Sequence, residues 1–275
     1  MLPKISVITA TLNRRDYLPR CIEAVASQSY PHKEHVIVDG GSTDGTVDLL
    51  RDYEQKYPHI KWISEPDNGI SSALNKAIGL ASGEVIGVNG DDDFYQPGAL
   101  EIVATEFERD PSVAVVSGDC DHIRNDGAFW FTLKAGFTTN RDLVEYWRHW
   151  CRSVALPAPS TFFKKEVVAV VGGFEEADRY AMDYHHWIKI TRKFKVKIVN
   201  QTLANFRCDE GTVSWSQGKE QLDEMYVISR KYWGSIAGLN FYRMAFSYLE
   251  YHRWPPFKIR VQNALRYRFR WLLKN

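Results

Sequence analysis

Three consecutive carboxylates, Asp91-Asp92-Asp93, stand in the run Val88-Asn89-Gly90-Asp91-Asp92-Asp93-Phe94-Tyr95-Gln96-Pro97, behind an apolar segment and ahead of a helical one. Like charges this close repel, and each carboxylate raises its neighbour's affinity for a proton or a cation. A divalent ion held there takes oxygen ligands and draws phosphate groups in turn. The same residues can instead form an acidic helix start, with Asp92 or Asp93 capping a helix that begins near Pro97. A single carboxylate, Asp183, opens a second helical stretch, Tyr180-Ala181-Met182-Asp183-Tyr184-His185-His186-Trp187-Ile188-Lys189. It too can be a cap, a cleft-facing group, or both. His185 and His186 lack partners at metal-ligand spacing, so they read as structural or solvent-facing.

The elements that must position these groups are legible as periodicity. Ile5 to Thr11, His35 to Asp39, Lys61 to Ser64, Glu84 to Asn89 and Val113 to Gly118 read as strands. Leu18, Ile22 and Val25 line one helix, Ile70, Leu74, Ala77, Ile78 and Ala81 another, and Leu100, Val103 and Phe107 a further one. Strands that are apolar nearly throughout, separated by helices, predict an α/β fold whose Rossmann-like sheet is mainly parallel and flanked by helices. Ligands of such sheets gather at the carboxyl ends of the strands. Thr9, Thr11 and Asn13, then Asp39 to Thr46, Glu65 to Gly69 and Asp91 to Asp93 all fall on that rim. Asp39 closes a strand and can accept from the donors of a base, whereas Asp44 reads as ordinary capping of the next helix.

Composition narrows the classes. With 35 Lys+Arg against 34 Asp+Glu, no global charge points to nucleic acid. Four widely spaced cysteines and no C-x-x-C pair signal neither a zinc site nor a disulfide framework, which fits a reducing cytoplasm. The strand pattern begins within a few residues of Met1, and no apolar run of membrane-spanning length occurs, so neither a signal peptide nor a transmembrane helix is expected. Neither G-x-G-x-x-G nor a P-loop is present. After residue 118 the alternation weakens and aromatics multiply, with Phe129-Trp130-Phe131, Tyr146-Trp147 and Trp150 close together. Residues 1–118, 119–210 and 211–275 therefore read as a regularly alternating half, an aromatic-rich half of the same domain, and a helical basic extension.

The segments Ser6-Val7-Ile8-Thr9-Ala10-Thr11-Leu12-Asn13-Arg14, Ile37-Val38-Asp39-Gly40-Gly41-Ser42-Thr43-Asp44-Gly45-Thr46, Glu65-Pro66-Asp67-Asn68-Gly69-Ile70 with Asn75-Lys76, and the aspartate run with Phe94-Tyr95-Gln96-Pro97-Gly98 occur in this order. Together they resemble the family-two glycosyltransferases of the GT-A fold, over roughly residues 4 to 210. The resemblance implies nucleotide contacts from Thr9, Ala10, Thr11, Asn13 and Asp39, the last through the base. It extends them to Asp67, Gly69, Asn75 and Lys76, and to Asp91 and Asp92. Metal ligation falls to Asp93, helped by Asp91, although counting back from Pro97 favours Asp92 and Asp93 as the acidic pair. Asp183 matches the catalytic base of inverting members. Met182, His185 and Lys189 depart from the common pattern around it.

What the resemblance implies is a nucleotide-diphospho-sugar donor, UDP-linked by default, a divalent magnesium or manganese ion, and a glycan or lipid-linked glycan acceptor in bacterial surface polysaccharide assembly. A nucleotidyltransferase and a sugar-nucleotide-binding protein without catalysis are the alternatives. Trp130, Trp147, Trp150 and Trp187 can form a sugar platform or simply core. From Tyr251 onward there is no acidic residue, while Arg253, Lys258, Arg260, Arg266, Arg268, Arg270 and Lys274 are basic. On a helix Phe257, Val261, Leu265, Phe269 and Leu272 share one face, which suits either an anionic membrane surface at the inner face of the plasma membrane or packing on the domain.

Overall fold

The computed structural model describes residues 2–137, 139–144, 155–208 and 217–232. Strands β1 (Ile5–Thr11), β2 (Lys33–Asp39), β3 (Ile60–Ser64) and β4 (Val85–Val88) are joined by helices α1 (Leu18–Ala26), α2 (Thr46–Lys56) and α3 (Ile70–Leu80). β1 pairs in parallel with both β2 and β4, and β2 pairs in parallel with β3. This half matches the parallel sheet expected from the sequence.

Beyond β4 the sheet is mixed. β8 (Thr161–Lys164) runs antiparallel to β4 and to β6 (Val113–Arg124), and β9 (Lys195–Cys208) lies parallel to β6. The two-residue strand β5 (Phe94–Tyr95) pairs antiparallel with β9 at the far edge, and β7 (Phe129–Leu133) forms a hairpin with β6. The order is β3-β2-β1-β4-β8-β6-β9-β5. Between β4 and β5 in sequence stand the three aspartates, so the acidic turn crosses from the parallel half to the mixed half. The expected strand end at Gly118 is corrected: β6 continues to Arg124. Gly118 is there for close approach to β9, since a Cβ would lie 2.6 Å from Leu203 and 2.7 Å from the Gln201 carbonyl.

Both faces are covered. On one, Ala73, Leu74 and Ala77 of α3, with Trp187 and Ile188 of α7 (Met182–Thr191), pack on Ile8, Val36 and Phe163. On the other, Leu100, Val103 and Phe107 of α4 (Ala99–Arg109) pack on Ile5, Val7 and Phe162. Neighbours Phe162 and Phe163 enter opposite cores because strand side chains alternate. The helix expected near Pro97 starts at Ala99 with Gly98 before it, so neither Asp92 nor Asp93 caps it. Short helices α5 (Asn140–Val144) and α6 (Val168–Val171) precede α7, and α8 (Gly218–Tyr232), from the segment expected as an extension, contacts α7. Among the described residues no helix is long and apolar enough to cross a membrane. Trp147, Trp150 and the basic segment 251–275 lie outside the described residues.

The end of the sheet opposite the acidic turn is held by a buried carboxylate. Glu34, at the start of β2, accepts from the Ser6 hydroxyl at 2.6 Å, from the Ser82 N–H at 2.5 Å and from the Ser82 hydroxyl at 2.8 Å. Lys61 and Lys4 lie 2.9 and 3.0 Å from it. Although burial alone raises a carboxyl pKa, these donors outweigh it and hold Glu34 well below its ordinary value of 4.5. A depressed folded pKa gives stability that is complete above the unfolded value and lost as pH falls towards the folded one. Glu34→Gln is expected to destabilise the protein by about 2 kcal/mol at neutral pH. In thermal unfolding scans the gap from wild type should narrow as pH drops below about 4.5; a gap independent of pH would contradict the assignment.

Candidate active site

The rim loops are built by side chains folding back on the backbone. Asp39, fully buried at the end of β2, accepts N–H bonds from Gly41 at 3.1 Å and Ser42 at 2.9 Å, and a hydroxyl bond from Ser64 at 2.6 Å. The Ser42 hydroxyl closes on its other oxygen. Asp39 therefore shapes the glycine-rich loop from within. Asn13, at φ 54°, takes the left-handed conformation that asparagine tolerates, accepts the Thr43 N–H and binds Ser42 through its own N–H. The expected cap at Asp44 is corrected: the N-cap position of α2 belongs to Gly45, at φ 93°, with no side-chain cap. Asp44 instead braces the helix start from one residue earlier, accepting from the Thr46 N–H and hydroxyl. Asp67 accepts the Gly69 N–H at 2.7 Å and packs so near Gly40 that a Cβ there would lie 2.9 Å from its carboxylate. Lys76 reaches back to Glu65 at 2.8 Å and to the Pro66 carbonyl, tying α3 to this loop.

Two of the expected nucleotide contacts, Thr9 and Asn75, have hydrogen-bond partners within the protein. The Thr9 side chain shares the face of Ile5 and Val7, turned towards α1, and is fully buried. Its hydroxyl lies 3.0 Å from His35 Nε2 and donates to the Asn89 carbonyl at 2.9 Å. Ala10 faces the other way, against the core under α3. Asn75 donates to the Phe174 carbonyl at 2.9 Å and accepts the Phe174 N–H at 2.8 Å, clamping α3 to the loop before α7. Gly173 permits this, since a Cβ there would meet the Asn75 amide oxygen at 2.3 Å. Both ends of the Asn75 amide are thus occupied within the protein.

Asn89 carries the support up to the acidic turn. Its amide donates to Cys21 Sγ at 3.1 Å and to the Asp93 carbonyl at 3.2 Å. Beneath it His35 is wholly enclosed, and burial lowers its pKa to about 3, so it stays neutral. Neither His35, Asn89 nor Cys21 carries a recognisable motif role, and only the tertiary structure brings them together.

The acidic turn crowds three carboxyl groups together. Burial, then Asp92, pushes Asp91 up to about 7, and burial, then Asp92, raises Asp93 well above the usual carboxylate range. The Thr11 hydroxyl is buried beside Asp91 without closing a full hydrogen bond. One Asp93 oxygen accepts the Arg207 N–H at 3.0 Å. Guanidinium groups collect alongside: Arg14 lies 3.8 Å from Asp91, Arg14 and Arg207 both lie over Tyr17, and Arg20 lies over Phe94. Arg20 and Arg207 were not anticipated from the sequence. Among the described residues no cluster of three His, Cys, Asp or Glu could hold a metal by itself. Two buried carboxylates that resist ionisation nonetheless fit a cation whose remaining ligands are phosphate oxygens and water, the usual manner of magnesium.

Asp183 occupies the first turn of α7, half-buried, and burial raises its pKa while the Tyr184 N–H, 2.8 Å away, opposes the rise. The Ser71 hydroxyl at the start of α3 donates to the Asp178 carbonyl, which sets the approach to α7 on the same rim. His185 and His186 are both enclosed, neither facing solvent. His185 lies 2.5 Å from Asp178, and His186 packs among Phe163, Phe174 and Trp187 with neither ring nitrogen hydrogen-bonded. Trp187 is core, 2% exposed, while Trp130 lies half-buried on the β7 hairpin.

A helix-flanked mixed sheet with an acidic turn at the carboxyl ends of its parallel strands is the GT-A architecture. Residues 6–159 match the model of the family described as "Glycosyl transferase family 2". The chain belongs to that family. It is 29% identical over 204 residues to a chondroitin synthase of Escherichia coli, covering 74% of this chain and 29% of that protein. It is 27% identical over 255 residues to TuaG of Bacillus subtilis, a glycosyltransferase assigned to teichuronic acid biosynthesis, covering 90% of this chain and 94% of that one. The chain thus spans less than a third of the chondroitin synthase. Among solved structures, S. aureus TarS 1-349 in complex with UDP-GlcNAc aligns at TM-score 0.66 and 19% identity, covering 86% of this chain and 68% of that one. The mannosyltransferase PcManGT of Pyrobaculum calidifontis, in complex with GDP-Man and Mn2+, aligns at TM-score 0.64 and 20% identity, covering 91% and 70%.

The support beneath the acidic turn predicts a separable effect. Thr9→Val keeps the shape but strands the His35 nitrogen and the Asn89 carbonyl, and should cost about 1–3 kcal/mol in denaturant unfolding. Nucleotide affinity of the folded variant, measured well below its unfolding temperature, should stay within about twofold of wild type, a difference of under 0.5 kcal/mol. Unchanged stability with lost nucleotide binding would restore a direct contact for Thr9.

Proposed function

We propose that the chain transfers a sugar from a nucleotide-diphosphate donor, with UDP as the leading nucleotide, to an acceptor hydroxyl with inversion, in assembly of a surface polysaccharide. The observation that carries the reading is the carboxylate turn flanked by guanidiniums at the carboxyl ends of the parallel strands, and Asp183 in the first turn of α7, whose approach is tied to the start of α3 through Ser71, supports it. Family membership favours glycosyl transfer over nucleotidyl transfer. Descriptions of TuaG and the chondroitin synthase support a polysaccharide product, and the TarS and PcManGT complexes support a nucleotide-sugar donor.

In this reading the acceptor oxygen forms a bond to the anomeric carbon as the bond from that carbon to the diphosphate breaks. Asp183 accepts the acceptor's proton as that oxygen attacks. A carboxyl whose pKa is raised is the stronger base for this task. Asp91 and Asp93 would hold magnesium or manganese, which supplies Lewis-acid stabilisation of the departing diphosphate. Arg14, Arg20 and Arg207 add fixed positive charge beside them, where negative charge develops. Asp39 serves the base side by bracing the glycine-rich loop, since it is fully buried and four donors take its two oxygens, and Asn13, Asp67, Gly69 and Lys76 hold the loops around the nucleotide. Thr11 and Asp92 complete the wall next to the ribose.

The donor site is tested by thermal stabilisation of the protein with UDP, GDP, dTDP and CMP, each with manganese or with chelator. One nucleotide should raise the unfolding temperature only with metal, and Asp93→Ala should abolish the rise. Stabilisation that survives both chelator and Asp93→Ala would remove the metal from the reading. No stabilisation by any of the four would favour the alternative without catalysis.

A further inference from the structure

The start of α7 is fixed by a residue from outside the family-matched region. Glu224, in the middle of α8, accepts three successive backbone N–H groups: Arg179 at 2.8 Å, Tyr180 at 2.7 Å and Ala181 at 2.6 Å. Gln221, one turn earlier, donates to the Tyr180 carbonyl at 3.0 Å. One turn into α7, His185 lies 2.5 Å from Asp178 and, through its other nitrogen, 2.7 Å from the Tyr232 hydroxyl at the end of α8. Since a carboxylate only accepts, Nδ1 is the nitrogen that carries a proton towards Asp178. α8 therefore grips α7 at both ends of its first turns.

A helix N-terminus carries unpaired N–H groups and partial positive charge, and an anion there is stabilised. Here Glu224 takes the N–H groups of Arg179, Tyr180 and the N-cap residue Ala181, just ahead of the first turn, which sets a like charge near Asp183 within that turn. We infer that Glu224 is a positioning residue for Asp183: it locks the backbone that leads into α7 and so presents the base. This rests on Asp183 being the base. Like-charge repulsion from Glu224 indeed joins burial in raising Asp183. Other charged groups around α7 are engaged elsewhere: Glu175 with Lys189, and Asp178 with His185. Lys76 pairs with Glu65, and Arg141 and Asp142 of α5 lie by the far end of α7, where Asn140 binds the Ile188 carbonyl. Arg179 and Glu176 are exposed on the approach, and α8 also carries Glu220, Asp223, Arg230 and Lys231.

Two measurements on the full chain test this without knowledge of the donor. Carbon-13 NMR of aspartate carboxyls, with the Asp183 signal identified by its loss in Asp183→Asn, should show a lower titration midpoint for Asp183 in Glu224→Gln than in wild type. A fold-stabilising role alone would leave that midpoint unmoved. Hydrogen exchange on the wild-type protein should show the amides of Arg179, Tyr180 and Ala181 protected alongside those of α7, and Glu224→Gln should lose that protection. An unshifted midpoint overturns the inference, as do amides 179–181 that exchange in wild type like those of an open loop. Should Glu224→Gln not fold, the wild-type exchange pattern decides. Full transfer activity in Asp183→Asn would instead sink the base assignment while leaving the exchange pattern intact, so the two failures are distinct.

Discussion

Charge that the fold does not neutralise is the constraint around which this structure is organised. Asp91 and Asp93 are buried together at the crossing from the parallel half of the sheet to the mixed half, and both resist ionisation. Such an arrangement costs stability, because a buried carboxylate without a full partner is disfavoured. It persists because the surroundings fix it from below and from the side. Thr9 and Asn89 hold the turn's backbone from the sheet, β5 pins its exit on β9, and the Arg207 N–H holds Asp93. In the proposed reading, the negative charge that remains there is what a cation and the donor's phosphates would meet.

The second centre, at Asp183, follows the same logic with fewer parts. Its helix is anchored by an apolar face, Tyr184, Trp187 and Ile188, in the core that also receives Ile8 and Phe163. The two centres are thus coupled through one hydrophobic layer, with β1 leading to one and α7 to the other. Asn75 and Ser71 add polar ties from α3 to the segment before α7, so the donor-side loops and the base-side helix share a helix as well as a core.

Much of this was legible in the sequence, for physical reasons that also mark its limits. Period-two and helical patterns reported β1 to β4 and the intervening helices because each buries a continuous apolar face. Their order placed the polar loops after β1, β2, β3 and β4 at one end of a parallel sheet, the end at which such sheets collect ligands. Side-chain direction was less accessible. Thr9 sits in a rim motif yet turns towards α1 because of strand alternation, and Asn75 follows a rim motif yet closes on Phe174. Gly118 looked like a strand end, when it marks close packing between strands distant in sequence. Glu224 had no local signal at all. Its meaning comes from three amides about 45 positions away, a relation set by tertiary packing that no spacing rule reveals.

The account's central claim is that Asp183 takes the acceptor proton across from a donor held at the acidic turn. The most direct measurement is the transfer rate of Asp183→Asn beside its donor-nucleotide affinity by calorimetry. The account predicts turnover lowered by about 10²–10⁴-fold, the range of general-base contributions, with affinity close to wild type. Turnover near wild type would remove Asp183 as base, and affinity lost together with turnover would make it part of the donor site instead.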